Sequence, residues 1–179
     1  MPSTFDPLLR LELQATGENA TTWGVKTNNN LDLIAVAIAG VTNLTVLSGD
    51  TSLTTANAAT DQARSAILVL QGTPAGDANL IVPASPKTYA VVRNTGGSFN
   101  ITIKQPSGTG TVLPATGTEI VVCTSTTCIG LVNNLDSRVA AVSASVVALN
   151  AQVSALNVQV AAVSAQVSAL NALDIRVIE

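Results

Sequence analysis

Along the last quarter of the chain, branched apolar residues fall at alternating spacings of four and three: Leu135, Val139, Val142, Val146, Leu149, Val153, Leu156, Val160, Val163, Val167 and Leu170. A mean period of about 3.5 predicts a left-handed coiled coil rather than a lone surface helix. Val139, Val146, Val153, Val160 and Val167 take the a positions of the heptad; the others take d. An isolated helix has nothing against which to bury such a stripe, so copies are expected to associate. The segment Ala151–Asn157 recurs at Ala165–Asn171, two heptads on, which keeps the register without a stutter. The flanking g positions hold Gln152, Gln159 and Gln166, and e holds Asn150, Asn157 and Asn171. With no ion pairs there to select a partner, a homomeric coil is expected. Val at a with Leu at d favours two strands, whereas Val142 and Val163 at d pull toward three, so the heptads leave dimer and trimer open.

The rest of the chain has other textures. Leu9-Arg-Leu-Glu-Leu-Gln14 alternates strictly and predicts a half-buried strand or arm with Leu9, Leu11 and Leu13 on one face. Asn19 or Thr21-Thr22 then caps an expected helix running from Trp23 to a C′ glycine at Gly40, with Leu31, Ile34 and Ile38 on a 3.6 period. Short β-branched runs follow. They predict strands near 44–47, 65–70, 79–82, 88–93, 100–104, 119–123 and 128–132. Asn94-Thr-Gly-Gly97 reads as a hairpin turn between the fourth and fifth. Ala56–Arg64 reads as a helical turn, Asn133-Asn134 as a hinge, and Asp136 as an acid in the coil's first turn. The expected fold is mainly β with α. An N-terminal attachment arm and helix spans 1–42, a small all-β sandwich or barrel spans 43–133, and a coiled-coil stalk spans 134–179.

Composition narrows the chemistry. The 179 residues include 8 basic and 11 acidic side chains, no His, and only Phe5, Trp23, Tyr89 and Phe99 as aromatics. Absence of His removes Ser-His-Asp and Cys-His nucleophile pairs. No basic cluster invites nucleic acid, and so few rings make a cofactor pocket a poor expectation. The carboxylates are scattered, and Gly72-Thr-Pro-Ala-Gly76 lacks the Lys-Ser/Thr of a phosphate loop. We expect no enzyme activity, cofactor or metal. Mean hydropathy is +0.44, yet Ser, Asn and Gln break every apolar run, so membrane insertion is not expected. No basic-then-apolar leader opens the chain, which predicts synthesis in the cytoplasm. Cys123 and Cys128 are spaced unlike a zinc site. They fit either two half-buried residues flanking a hairpin loop or a cross-hairpin disulfide formed after release to an oxidising medium.

Several segments carry a resemblance. Leu11-Glu-Leu-Gln14, Gly17-Glu-Asn19, Thr22-Trp-Gly24, Asn28-Asn-Asn-Leu31 and Ile38-Ala-Gly40 resemble the N-terminal motif of tail-fibre proteins of tailed bacteriophages. The resemblance continues through Ala59-Thr-Asp-Gln-Ala-Arg64, Leu68-Val-Leu-Gln-Gly72, Val82-Pro83, Lys87-Thr-Tyr89 and Val91-Val-Arg-Asn94. The chain departs from that family where a Cys-Asp-Gly turn is usual and Cys123-Thr-Ser-Thr-Thr-Cys128 stands instead. The resemblance implies a homotrimeric structural virion protein, attached to tail or neck proteins through its N-terminal region and projecting a stalk for host attachment. Attachment candidates are Leu11, Leu13, Trp23, Asn30, Ile34 and Ile38. Trp23 has two readings: an anchor of the helix on the β domain, or a plug into a neighbouring virion protein. The tail Leu173–Glu179, with Ile175, Val177 and Ile178, is a candidate dock for a distal fibre subunit. A head- or neck-attached fibre, or a fragment of a bacterial trimeric surface adhesin, are the alternatives.

Overall fold

A computed structural model describes residues 2–177, with side chains for all of these except 133 and 174–177. The chain divides into two units, residues 1–134 and 135–179.

The first unit opens with a small antiparallel pair, β1 (Thr4–Phe5) against β2 (Glu12–Leu13). The alternation of the Leu9–Gln14 segment is inverted relative to expectation. Glu12 is buried and Leu13 is 52% exposed, while Leu9 and Leu11 are half-buried. The reason lies in the helix that follows, α1 (Trp23–Ala39). Lys26 donates to the Glu12 carboxylate at 2.9 Å, Asn19 donates to it at 3.2 Å, and Asn30 grips the Glu12 backbone from both sides, at 3.1 and 2.8 Å. The bond from Lys26 holds the Glu12 carboxyl below its ordinary value. Polar satisfaction of Glu12 therefore outranks the three leucines in setting which face turns inward.

Helix α1 starts where expected, although Thr22 makes no side-chain cap; the Asn19 carbonyl takes the N–H groups of Thr22 and Trp23 instead. It buries Leu33, not the Leu31/Ile34/Ile38 stripe that the sequence suggests. Gly40 closes it in an extended conformation rather than a left-handed one. A glycine is needed there for closeness: a Cβ would lie 2.5 Å from the Val36 carbonyl oxygen.

Two sheets then share one core, and the strands wind between them. β3 (Val41–Thr45), β5 (Ile67–Gln71) and β7 (Lys87–Arg93) lie parallel side by side, with Val41 opposite Ile67 and Ile67 opposite Ala90. β4 (Gly49–Ser52), β6 (Ala78–Ile81) and β8 (Ile101–Lys104) do the same in the other sheet, with Gly49 opposite Ala78 and Ala78 opposite Ile101. Each step along the chain thus crosses to the other sheet, and each coil stacks on the one before. β9 (Thr111–Val112) pairs antiparallel with β8, β10 (Gly117–Cys123) with β7, and β11 (Cys128–Gly130) with β10. The strand orders are β11-β10-β7-β5-β3 and β4-β6-β8-β9.

Because β7 and β8 belong to different sheets, Asn94–Gly97 is a corner, not a hairpin. It stacks on the preceding corner: Asn94 N–H donates to Leu70 at 2.8 Å and Gly96 N–H to Gly72 at 2.9 Å. Gly72, at φ +105, presses so close to Val46 that a Cβ would sit 2.8 Å from its carbonyl oxygen. Inward positions alternate with period two, as in Leu68 and Leu70 on β5 or Tyr89 and Val91 on β7. They meet Leu80, Ile101 and Ile103 in a single apolar cluster. A 3-10 turn (Gln62–Arg64) occupies the segment read as a helical turn.

Two titratable groups, Tyr89 in this core and half-buried Lys87 at its edge, give a pH signature. The Tyr89 hydroxyl donates to the Ala63 carbonyl at 3.0 Å, and burial raises its ionisation above the ordinary value of 10.0. Lys87 lies 5.3 Å from the Tyr89 ring and donates to the Arg64 carbonyl. Burial, followed by the Arg10 charge, lowers Lys87 from 10.5 to about 8. Between pH 8 and 10.5 the unfolded chain retains a proton that folded Lys87 has released, so stability should rise with pH. Above pH 10 the unfolded tyrosine ionises while folded Tyr89 does not, so stability should fall again. Reversible thermal melts from pH 7 to 11 should therefore peak between those limits, and Lys87→Met should abolish the rising limb. A flat rising limb in the wild-type chain would contradict the burial of Lys87.

Helix α2 (Leu131–Val177) follows β11 directly. Its 47 residues span about 70 Å at 1.5 Å per residue. It begins ahead of the expected hinge: Asn133-Asn134 lies in its first turn and Asp136 in its second. An acceptor supplied by the β unit makes the early start favourable, since the Glu119 carboxylate accepts the Val132 N–H at 2.7 Å.

Candidate assembly interface

The heptad residues form a continuous apolar stripe on α2. All eleven are between 48% and 69% exposed, from Val153 at the low end to Leu170 at the high end. This is a long row of large aliphatic side chains left uncovered by the described residues. Monomeric soluble proteins rarely leave such a stripe in water. Shallow grooves run between its side chains, one lined by Ala141, Val142, Ser145, Val146 and Leu149 and another by Leu135, Arg138, Val139 and Val142. Such depressions are what an incoming knob from a neighbouring helix fills.

The polar residues of α2 are arranged to leave that stripe clean. Ser145, Ser154 and Ser168 return their hydroxyls to carbonyls one turn back, at 3.0, 2.9 and 3.0 Å. Asn and Gln flank the seam at e and g. By length and composition the stretch Asn134–Leu173, with hydropathy 1.7, is also long and apolar enough to cross a membrane. In hydrocarbon, however, the amides of Asn150, Gln152, Asn157, Gln159, Gln166 and Asn171 would each need a partner. In a water-soluble coil they face solvent beside the seam.

The N-terminal candidates divide into two groups. Asn30 is occupied in holding Glu12, and Leu11 and Ile34 are half-buried. Leu13 is 52% exposed, Trp23 63% and Ile38 73%. Leu31, 58% exposed and one heptad before Ile38, joins the exposed group; sequence reading placed it on the helix stripe but not among the attachment candidates. Trp23 therefore does not anchor α1 on the β core within one chain. The candidate dock at Ile175, Val177 and Ile178 lies outside the described side chains.

Sequence reading missed the buried cluster that ties the arm to the β unit. Asp61 accepts from Arg10 at 2.9 and 3.0 Å and from Arg64 at 3.1 Å. Arg64, 1% exposed, also donates to the carbonyls of Leu9, Ala56 and Ala59. The only signal was local: Asp61 also caps the 3-10 turn by accepting the Arg64 N–H.

No family model, curated protein or solved structure matches this chain.

Proposed function

We propose that the chain is a structural virion protein, a homotrimeric bacteriophage tail fibre or fibre base. In this reading the N-terminal region attaches it to the tail, and α2 zips with its equivalents into a stalk that serves host attachment. The observation that carries the reading is the exposed Val/Leu seam of α2. Three copies rather than two rest on the sequence resemblance to phage fibres; the heptads, with Val142 and Val163 among the d positions, fit either number. The exposed set Leu13, Trp23, Leu31 and Ile38 is the surface available to a tail or neck protein.

Sedimentation of the full chain at micromolar concentration should give a three-copy species, and antibody labelling of intact particles should place it on the tail. A folded, soluble single-copy species would overturn the assembly. Labelling on the head or neck would retain the assembly and move the attachment point. Quantitative recovery in vesicle-bound fractions would replace the coil with a membrane helix. Trp23→Ala is expected to shift the melting temperature little, as an exposed substitution within about 0.5 kcal/mol does, while abolishing incorporation into particles. Normal incorporation would remove Trp23 from the attachment surface.

A further inference from the structure

The structure assigns the Cys123–Cys128 bond a second role, as a redox-controlled clamp on the first turn of α2, whatever the number of copies that assemble. The two cysteines face each other at the loop end of the β10–β11 hairpin, with Cα atoms 4.1 Å apart, and both are 2% exposed. β11 is a three-residue edge strand: its ladder is with β10, with Gly130 opposite Val121, and on its other side the Cys128 N–H donates to the Thr109 carbonyl at 3.0 Å. One further step of that ladder would bring Val132 opposite Glu119. The chain turns into α2 at Leu131 instead, and the Val132 N–H reaches the Glu119 carboxylate at 2.7 Å. Gly130 lies against the same carboxylate, since a Cβ there would come within 3.0 Å of its Cδ and Oε1.

Glu119 is 1% exposed and sits on the inward face of β10 with Val121 and Cys123. It can accept from Val132 only in this register. A two-residue slip, which alone would keep each side chain on its face, moves the helix start by about 7 Å. Three residues of edge pairing resist such slippage weakly. The disulfide fixes the register at the end away from the helix, and Glu119 reads it out at the other.

The chemistry balances with a low-molecular-weight disulfide as oxidant. One cysteine thiolate attacks the reagent and expels a thiolate. The second attacks the mixed disulfide and expels the other. The two protons lost by the protein end on the two released thiols. In a thiol-rich cytoplasm the reaction runs backwards, so the clamp closes after release from the cell.

Amide hydrogen exchange on the full chain, oxidised and reduced, tests this. Reduction should speed exchange within Leu131–Asn134, where the Val132 amide bonded to Glu119 is the reporter, by roughly ten- to fortyfold, the range that closing a loop this short implies, while Leu68–Leu70 in β5 stay protected. Cys123→Val with Cys128→Val, which keeps the strand apolar, should reproduce the reduced pattern under oxidising conditions. In Glu119→Gln, which weakens the acceptor, reduction should change the same amides by less than half as much. Equal exchange at 131–134 in both redox states would overturn the clamp. So would a loss of protection spread over β5 and β7, which would make the bond a global staple.

Discussion

Replacing Leu149 and Leu156 together by Asp is expected to abolish association and to leave α2 largely unwound, with the β unit still folded. Each leucine sits at d, 58% exposed in the single chain, and its burial in a coil is worth about 1.5–3 kcal/mol. In the proposed three-chain coil, two per chain amount to about 9–18 kcal/mol, as large as the whole stability of an ordinary domain. The carboxylates would also be desolvated at the axis without a partner. A separated α2 has little to hold it, because nucleation is costly and its surface carries almost no i,i+4 ion pairs. Sedimentation should fall to one copy, and helical circular dichroism should drop by more than half. Ala151→Asp, at an f position between the two leucines and off the seam, should change neither. Retention of the oligomer by the double variant would mean that copies meet elsewhere.

The helix α2 and its apolar stripe were legible in the sequence because their information is local: a period of about 3.5 needs no knowledge of distant residues. Most strands were legible for the same reason, as in Ile67-Leu-Val-Leu70. Their winding was not. A corner such as Asn94–Gly97 carries the same residues as a hairpin turn, and only its stacking on Gly72 reveals that the chain is crossing between sheets. β4 was missed because Gly49-Asp-Thr-Ser52 has no apolar residue; parallel pairing with β6 and the Asn79–Asp50 side-chain bond at 2.7 Å hold it. The helix start at Leu131 was missed because its acceptor, Glu119, lies on another strand.

The two ends of the chain are therefore built on different physics. α2 exposes an apolar face along its length. The arm and α1 are held inside the first unit by polar contacts, at Glu12 and Asp61, while Trp23, Leu31 and Ile38 stay free for other proteins. In the proposed fibre that division has a use: the surface that meets copies of itself must differ in chemistry from the one that meets the particle, or the two would compete.

Asp61→Asn should be the most damaging single substitution in the first unit. Its carboxylate is 1% exposed and is the shared partner of Arg10 and Arg64. It also accepts the backbone N–H groups of Ala56 at 3.0 Å and Arg64 at 2.8 Å. An asparagine keeps part of the hydrogen bonding but leaves the Arg64 guanidinium, fully buried, without a counter-charge. Removing one member of a buried pair costs about 3–5 kcal/mol, which for a unit of this size is a fall of about 10–20 °C in melting temperature. The lesion should open at the arm, because Arg64 to Leu9 and Ala58 to Arg10 are the bonds that fasten it. Limited proteolysis near residues 5–14 should therefore quicken before the β core melts. Arg10→Gln placed in the Asp61→Asn background removes one stranded charge and should recover part of the loss. A fall of less than about 1 kcal/mol would show that the arm is held by Glu12 and α1 alone, and not by this cluster.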